Sequence, residues 1–244
     1  MDRLDKFLFI HNYSSSRSKA EQLISQKKVK VNGKIITKNS FKVSESDLIE
    51  VGTLEESKYV SRAALKLLTA FETFSLKIEG NKALDIGSST GGFIQVLLEQ
   101  GAATVYGIDV GHDQLHPILK EDARVTNFEK CNAREPFSFK DEFDLITCDV
   151  SFISVTQILP NLVNYLSLNG QIVFLLKPQF ESKGKYLKNG VVPETHHSEI
   201  FDKMKSFLDS MNLELVNSCP SKIQGKTGNQ EYLWLIKKKK NNQY

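Results

Sequence analysis

The chain has 244 residues, 40% hydrophobic and 25% charged, a composition typical of a globular protein with a sizeable core. Its apolar runs are too short to span a bilayer and its first residues lack the apolar stretch of a signal peptide, so we expect a cytoplasmic protein with no membrane partner. Three widely separated cysteines indicate neither a disulfide framework nor a zinc cluster, and we predict no metal site.

Basic residues are concentrated at one end of the chain. Residues 1–53 hold ten Lys or Arg against six Asp or Glu, a net charge of +4, whereas the remaining residues have a net charge of −1. Because clustered basic residues bind polyanions, this end favours a nucleic-acid-binding module attached to a second domain.

The first fifty residues predict a helix-helix-hairpin unit. Apolar residues at positions 4, 8 and 9 predict a first helix, and Ser16 or Ser18 can cap a second helix that carries apolar residues at 20, 23 and 24. The Asn32-Gly33 pair between two short apolar runs indicates a β-hairpin, and residues 48–51 predict a further strand. We therefore expect a small domain over 1–53, a polar linker over 54–60, a second domain over 61–240 and a tail over 241–244.

Strand and helix patterns alternate in the second domain, which predicts a doubly wound, mostly parallel sheet of the Rossmann-like α/β class with an antiparallel last strand. The predicted strands are Ala83–Ile86, Thr104–Asp109, Phe143–Asp149, Gln171–Leu176, Glu214–Asn217 and Tyr232–Ile236. The predicted helices cover Phe93–Leu98, Leu115–Leu119, Val155–Leu166 and Glu199–Met211.

A glycine-rich turn follows the first of these strands. Gly87, Gly91 and Gly92 would let the backbone approach a ligand at a helix N-terminus. Their Gly-x-x-x-Gly-Gly spacing differs from the dinucleotide fingerprint, which disfavours a nicotinamide cofactor. Asp109 ends the second strand, where a carboxylate can bind the ribose hydroxyls of a nucleoside ligand. Methyltransferases hold S-adenosylmethionine with this geometry, although a tight turn and a helix cap would give the same pattern.

Charged residues end two strands that are otherwise apolar. Asp149 and Lys177 should face the ligand cleft, because ligands of open α/β sheets bind at the carboxyl ends of the strands. Glu231 before the last strand and Lys66 on an amphipathic helix could complete the cluster, although Lys66 taken alone reads as an ordinary surface lysine. Two lysines and two carboxylates suit methylation of a hydroxyl, whose proton must be removed or whose oxygen must be held in line with the methyl group.

These motifs together resemble a known family. Arg3-Leu4-Asp5, Ser16-Arg17 and Val29–Gly33 are similar to the S4-type RNA-binding domain. The remainder resembles the FtsJ-like methyltransferases, and the whole chain resembles the TlyA family of hemolysins and ribosomal RNA 2'-O-methyltransferases. Beyond the glycine turn, the matching segments include Val60–Ala63, Asp109–Gly111, Asn132–Arg134, Asp149–Ser154, Lys177–Glu181, Gly190–Val192 and Gly228–Glu231.

The resemblance implies a catalytic tetrad at Lys66, Asp149, Lys177 and Glu231. Lys177 would deprotonate or orient a ribose 2'-hydroxyl, with Asp149 and Glu231 setting its charge and Lys66 positioning the sugar and phosphate. The cofactor is expected to be S-adenosylmethionine. The candidate residues that bind it are Asp85, Gly87, Ser88, Ser89, Gly91, Gly92, Phe93, Asp109, Val110, Asn132, Ala133 and Asp149.

The expected partner is ribosomal RNA, modified to 2'-O-methylcytidine by a monomer or homodimer. Several phosphate contacts would make RNA affinity fall steeply with salt. The candidate RNA-binding residues are Arg3, Arg17, Lys19, Lys27, Lys28, Asn32, Lys34, Lys38 and Arg62. Three other functions remain open at this stage: a non-catalytic RNA-binding assembly factor, membrane lysis, and methylation of a small molecule.

Overall fold

In a computed structural model, described for residues 1–52, 58–225 and 227–239, the chain forms two compact units, Met1–Lys58 and Tyr59–Tyr244. Residues 54–57 of the expected linker and the expected tail, 241–244, lie outside the described residues.

The first unit contains the predicted helices and hairpin. Ser16 caps the second helix, since its hydroxyl accepts a hydrogen bond from the backbone N–H of Lys19 at 3.2 Å. Asn32 and Gly33 both have positive φ, which is the backbone conformation a tight hairpin turn requires. The elements are β1 (Asp2–Arg3), α1 (Leu4–Ile10), α2 (Arg17–Ser25), β2 (Val29–Val31), β3 (Lys34–Ile35), β4 (Lys42–Val43) and β5 (Ile49–Val51).

A small apolar core holds this unit together. It is formed by Leu4, Phe7, Leu8, Ala20, Leu23, Ile24, Val29, Val31 and Val43. Strand β2 lies between β3 and β5, and both pairings are antiparallel. Phe9, which we expected to pack with Leu4 and Leu8, is exposed.

The second unit is built on a seven-stranded sheet with the order β11-β12-β10-β9-β6-β7-β8. Strand β12 pairs antiparallel with both of its neighbours, and the other pairings are parallel, which confirms the predicted fold class. The strands are β6 (Lys82–Ile86), β7 (Thr104–Ile108), β8 (Val125–Phe128), β9 (Phe143–Cys148), β10 (Leu166–Leu176), β11 (Leu213–Pro220) and β12 (Tyr232–Lys238).

Helices cover both faces of this sheet. One apolar cluster packs α3 (Ala64–Phe74) and α4 (Gly92–Glu99) on one face, and a second cluster packs α6 (Leu159–Leu162) and α8 (His197–Ser210) on the other. Alternate strand residues point to opposite faces, so Val173 and Leu175 join the first cluster while Ile172 and Phe174 join the second. Two one-turn helices, α5 (Pro117–Lys120) and α7 (Pro178–Glu181), complete the fold.

Three sequence predictions for this unit were wrong. The chain makes an additional strand, β8, that we did not expect. The helix predicted over Val155–Leu166 is broken into α6 and two short 3₁₀ turns. Pro160 lacks a backbone donor, and the buried Asn161 side chain donates to the carbonyls of Ala133 and Glu135. The segment Leu115–Leu119 is mostly irregular, and its one turn begins at Pro117 with His116 as cap.

No helix in the described part of the chain is long and apolar enough to cross a membrane.

Candidate active site

Four charged side chains meet at the carboxyl edge of the parallel strands. Asp149 directly follows β9, and Lys177 directly follows the neighbouring strand β10. Strand β12 runs the opposite way and pairs Tyr232 with the end of β10, so Glu231 enters the sheet at the same edge. Lys66 reaches this edge from the first turn of α3. The topology therefore gathers residues that are up to 165 positions apart in sequence.

The four side chains form a continuous chain of ion pairs. Lys66 Nζ lies 2.7 Å from Glu231 Oε2 and 3.3 Å from Asp149 Oδ2, and Lys177 Nζ lies 2.6 Å from Asp149 Oδ1. The side chains of Lys66 and Lys177 are only 12% and 6% exposed. Lysine is almost never buried unless it is paired, so this arrangement requires the two carboxylates.

The electrostatics of this tetrad favour the charged forms of Lys66 and Asp149. Burial alone would lower the pKa of Lys66, but the attraction of Asp149 and Glu231 outweighs it and raises that pKa above its ordinary value. Burial alone would raise the pKa of Asp149, but Lys177 and Lys66 outweigh it and lower that pKa.

Glu231 contacts Lys66 and not Lys177. Glu231 pairs with Lys66, and no ion pair joins Glu231 to Lys177 among the residues that the structure describes. Lys177 donates to the hydroxyl of Ser151 at 3.1 Å. The role of Glu231 in setting the charge of Lys177 stays a prediction.

The loop that carries Glu231 is fixed by a buried asparagine. Asn229 accepts from the N–H of Val192 at 3.0 Å and donates to the carbonyl of Gly190 at 2.8 Å. Gly225 lies against Glu231, because a Cβ at this position would come within 2.7 Å of Oε1. Asn229 and Gly225 were not among the predicted site residues, although Gly190–Val192 and Gly228–Glu231 were recognised as motifs.

An exposed aromatic residue follows Asp149. Phe152 is 92% exposed and has φ of +66°, a strained conformation for a bulky residue. Its ring lies 5.3 Å from the ring of Phe180, which follows Lys177 on the neighbouring loop. The pattern Asp149–Ser154 was recognised as a motif, but periodicity gave no signal that this phenylalanine would face solvent.

The glycine turn lies beside the tetrad, and its glycines are needed for close packing. A Cβ at Gly87 would come within 2.6 Å of the carbonyl oxygen of Asp149. A Cβ at Gly91 would overlap Leu119, and one at Gly92 would overlap Ser61. Gly87 and Gly91 also have positive φ. Contacts within the protein therefore require glycine at these positions, and the approach of a ligand to this turn stays a prediction.

Two buried polar groups beside this turn lack partners within the described residues. The hydroxyl of Thr147 donates to Asp85 Oδ1 at 2.7 Å, but Asp85 Oδ2 and Ser88 Oγ accept or donate no hydrogen bond. Burial raises the pKa of Asp85 to about 7. Unpaired buried polar groups are unfavourable in a folded protein, so such a pair is typical of a binding site for a polar ligand.

The other candidate cofactor residues are arranged around the ends of β7 and β8. The carboxylate of Asp109 accepts from the N–H groups of Ser89 at 2.8 Å and Gly111 at 2.6 Å. Val110 is exposed, and Asn132 and Ala133 follow Cys131, whose N–H bonds to the carbonyl of Asp109. The Phe93 side chain packs in the core, so only its backbone could contact a cofactor.

The candidate RNA-binding residues of the first unit are mostly exposed, and three have structural partners. Arg3 and Arg17 both pair with the buried Asp5, at 3.0 and 2.8 Å. The Asn32 side chain bonds Asp47 and the N–H of Leu48, so it stabilises the hairpin. Lys19, Lys27, Lys34 and Lys38 are exposed and Lys28 is half-buried; Arg62, in the second unit, is exposed.

The fold and site define a methyltransferase of the Rossmann-like class, and comparisons with known proteins agree. The FtsJ-like methyltransferase family matches residues 59–238, and the S4 domain family matches residues 2–49. The chain belongs to the TlyA family of FtsJ-like methyltransferases.

Three similar proteins illustrate this membership. Hemolysin A of Brachyspira hyodysenteriae is 41% identical, covering 95% of this chain and 98% of its own. The 16S/23S rRNA (cytidine-2'-O)-methyltransferase TlyA of Mycobacterium tuberculosis is 38% identical, covering 96% and 89%. A solved protein of Streptococcus thermophilus that carries the name hemolysin has a TM-score of 0.77 at 35% identity, covering 98% and 88%.

S-adenosylmethionine is the methyl donor of this class, and the residues present fit it. Its amino acid end carries an ammonium and a carboxylate, which match the unpartnered Asp85 and Ser88. Its ribose would lie at Asp109, whose oxygens each retain a lone pair, and its adenine would lie against the exposed Val110.

Proposed function

We propose that the protein methylates the 2'-hydroxyl of a cytidine in ribosomal RNA. The main support is the Lys66–Asp149–Lys177–Glu231 tetrad. It lies beside the glycine turn, which we assign together with Asp109 to S-adenosylmethionine. The relative from Mycobacterium tuberculosis, named for this reaction, spans nearly the same length of chain. Because the proposed substrate is ribosomal RNA, we expect the protein to act in the cytoplasm.

Lys177 is the group we assign to the 2'-hydroxyl. The bound cofactor supplies an electrophilic methyl group, and the protein must hold the attacking oxygen in line with it and remove its proton. Lys177 contacts one carboxylate, whereas Lys66 is held between two. We therefore assign to Lys177 the contact with the 2'-hydroxyl and, in its neutral form, the acceptance of that proton.

Lys66 and the carboxylates have supporting roles in this proposal. Lys66 stays protonated and can bind the oxygen atoms of the target sugar or its phosphate. Asp149 holds both lysines in place and stabilises positive charge on Lys177 once the proton has been transferred. Glu231 holds Lys66 in place, since Lys66 Nζ donates to Glu231 Oε2 at 2.7 Å.

The first unit supplies RNA affinity. Its exposed lysines and the two arginines held by Asp5 can bind phosphates, which carry no sequence information. The exposed Phe152 beside the tetrad offers a face on which a base turned out of its stack can lie.

The decisive experiment incubates ribosomal subunits that lack this modification with the protein and methyl-labelled S-adenosylmethionine, then maps the label. We expect labelled cytidine in the RNA of one or both subunits, with a 3' phosphodiester that resists alkali because 2'-O-methylation removes the hydroxyl that attacks it. Label on a base, or none, would contradict the proposal.

Three parallel measurements address the other functions. An assembly factor without catalytic activity need not bind S-adenosylmethionine, which calorimetry detects. Methylation of a small molecule would give turnover on free nucleosides in the absence of RNA. Leakage from liposomes treated with RNA-free protein would support the membrane activity that the hemolysin names suggest.

A further inference from the structure

Two adjacent loops carry the groups to which the proposed reaction assigns chemistry. The loop after β9, residues 149–154, carries Asp149 and Phe152. The segment after β10 carries Lys177, which immediately precedes α7, and Phe180, which lies within α7. These loops touch through the Lys177–Asp149 ion pair and the two phenylalanine rings. A bound substrate would contact these same side chains. Contacts between the two loops at these side chains therefore cannot by themselves hold the loops in fixed positions during the reaction.

Glu181, the last residue of α7, joins the two loops outside the reaction centre. Its Oε1 accepts from the backbone N–H of Val155 at 2.9 Å, and its Oε2 accepts from the hydroxyl of Ser154. Ser154 also caps the 3₁₀ turn that follows it, since its Oγ accepts from the N–H of Thr156 at 3.2 Å. The bidentate contact thus fixes the far end of the 149–154 loop to the helix that begins beside Lys177.

Polar contacts hold the carboxylate of Glu181. Glu181 and Ser154 line a cavity of about 460 Å³, whose wall combines polar and charged side chains with Tyr186, Ile200 and Met204. Burial raises the pKa of Glu181, and the hydrogen bonds from Ser154 and Val155 and the charge of Lys183 oppose this effect. The two hydrogen bonds are therefore the contacts that join this carboxylate to Ser154 and Val155.

We propose that Glu181 is a positioning residue that sets the geometry of Phe152 and Ser151 relative to Lys177. This inference rests on the proposed methyl transfer to RNA. Glu181 does not touch the reacting atoms; its loss lets the far part of the loop, with Ser151 and Phe152, shift while Asp149, Lys177, Lys66 and the glycine turn stay in place. Misplacement of reacting groups by about 1 Å can lower a rate about a hundredfold.

The test compares Glu181→Ala and Glu181→Gln with Glu199→Ala in the full-length protein on ribosomal subunits. Glutamine can accept from Val155 with its oxygen and donate to Ser154 with its nitrogen, so it keeps the connection. We expect kcat to fall about tenfold to a hundredfold in Glu181→Ala, with KM for RNA and cofactor affinity little changed, and to recover in Glu181→Gln. Glu199 is an exposed carboxylate that bonds Tyr186 and Lys203 but neither loop, so its removal should leave kcat unchanged.

Combination with Phe152→Ala supplies a second readout. If Glu181 acts through the loop, the double variant should lose little more activity than the more impaired single variant. Additive losses, unchanged kcat in Glu181→Ala, or loss of kcat in proportion to cofactor binding and thermal stability would each overturn the inference. Wild-type protein that does not methylate RNA would instead contradict the proposed function.

Discussion

Each unit of the protein places one buried aspartate between two cations, but the cations differ in type and exposure. In the first unit, Asp5 pairs with Arg3 and Arg17, whose side chains are 44% and 54% exposed. In the second unit, Asp149 pairs with Lys66 and Lys177, which are buried. The two cations of this arrangement are therefore exposed to solvent in the first unit and largely shielded from solvent in the second.

The difference matches two kinds of chemistry. A guanidinium stays protonated in proteins, so an exposed arginine held by a carboxylate is a permanent, oriented cation suited to phosphate. A lysine can lose its proton when its surroundings disfavour the charge, and burial gives the protein control over that equilibrium. The comparison supports the proposed roles, which are phosphate binding by the Asp5 cluster and proton transfer by the Asp149 cluster.

The largest expected effect comes from replacing Lys177 with arginine, which keeps the charge and removes the ability to release a proton. We expect kcat for RNA methylation to fall by about 10²–10⁴, the usual contribution of general acid–base catalysis, with cofactor affinity retained. Single-turnover assays and calorimetry measure the two quantities. Lys203→Arg, an exposed lysine paired with Glu199, is the matched control. An active Lys177→Arg variant would show that proton transfer does not occur at this lysine.

Removing the carboxylate of Asp149, which Lys66 and Lys177 share, should have the next largest effect, and this effect is on protein stability. Asp149→Ala leaves Lys177 buried without a counter-ion, and breaking a buried pair from one side costs about 3–5 kcal/mol of stability. Asp5→Ala should destabilise its unit less, because both arginines remain hydrated. Denaturation monitored by hydrogen exchange measures the stability of each unit separately. Equal losses in the two variants would remove the distinction between the clusters.

The Asp5 cluster also makes a prediction about pH. Hydrogen bonds from Arg3, opposed by burial and assisted by Arg17, lower the pKa of Asp5 from 3.8 to about 2. A carboxyl group whose pKa is lowered by folding stabilises the folded state at pH values above its unfolded-state pKa. This stabilisation is lost as the pH falls through its folded-state pKa. The stability difference between wild type and Asp5→Asn, measured by hydrogen exchange in α1 and α2, should be constant above about pH 5 and shrink between pH 4 and 2. A difference that does not change with pH would mean that the Asp5 charge is not stabilising.

The sequence predicted much of this arrangement, for reasons that differ between regions. Asp149 and Lys177 were predictable because apolar strands end directly before them and parallel strands end at one edge. Lys66 and Glu231 were candidates by position, on an amphipathic helix and just before a strand, and the family resemblance then implied both as members of the tetrad. The connections between these side chains could not be read from the sequence, because they depend on side-chain directions at the sheet edge.

The same limit explains the errors. The direct partner of Glu231 was not predicted, because only the antiparallel entry of β12 brings it to Lys66. Strand β8 was missed because Val125–Phe128 is short and its two apolar residues are separated by polar ones. Glu181 lies in the recognised motif Lys177–Glu181 but was given no role, because its two partners, Ser154 and Val155, are known only from the structure.

The smallest effect should be on the salt dependence of RNA binding. Arg17→Ala removes one phosphate contact, so the slope of log K against log salt should decrease by about 0.7–0.9, with a loss of affinity that is uniform across RNA sequences. Arg17→Lys should keep the slope, because the charge remains, but weaken affinity because lysine cannot bind Asp5 and phosphate with the same planar geometry. Titrations at several salt concentrations measure both quantities, with Lys222→Ala, a surface lysine of the second unit paired with Glu72, as the control. An unchanged slope in Arg17→Ala would indicate that Asp5 holds Arg17 for folding alone, and the display of charge would then rest on Arg3 and the neighbouring lysines.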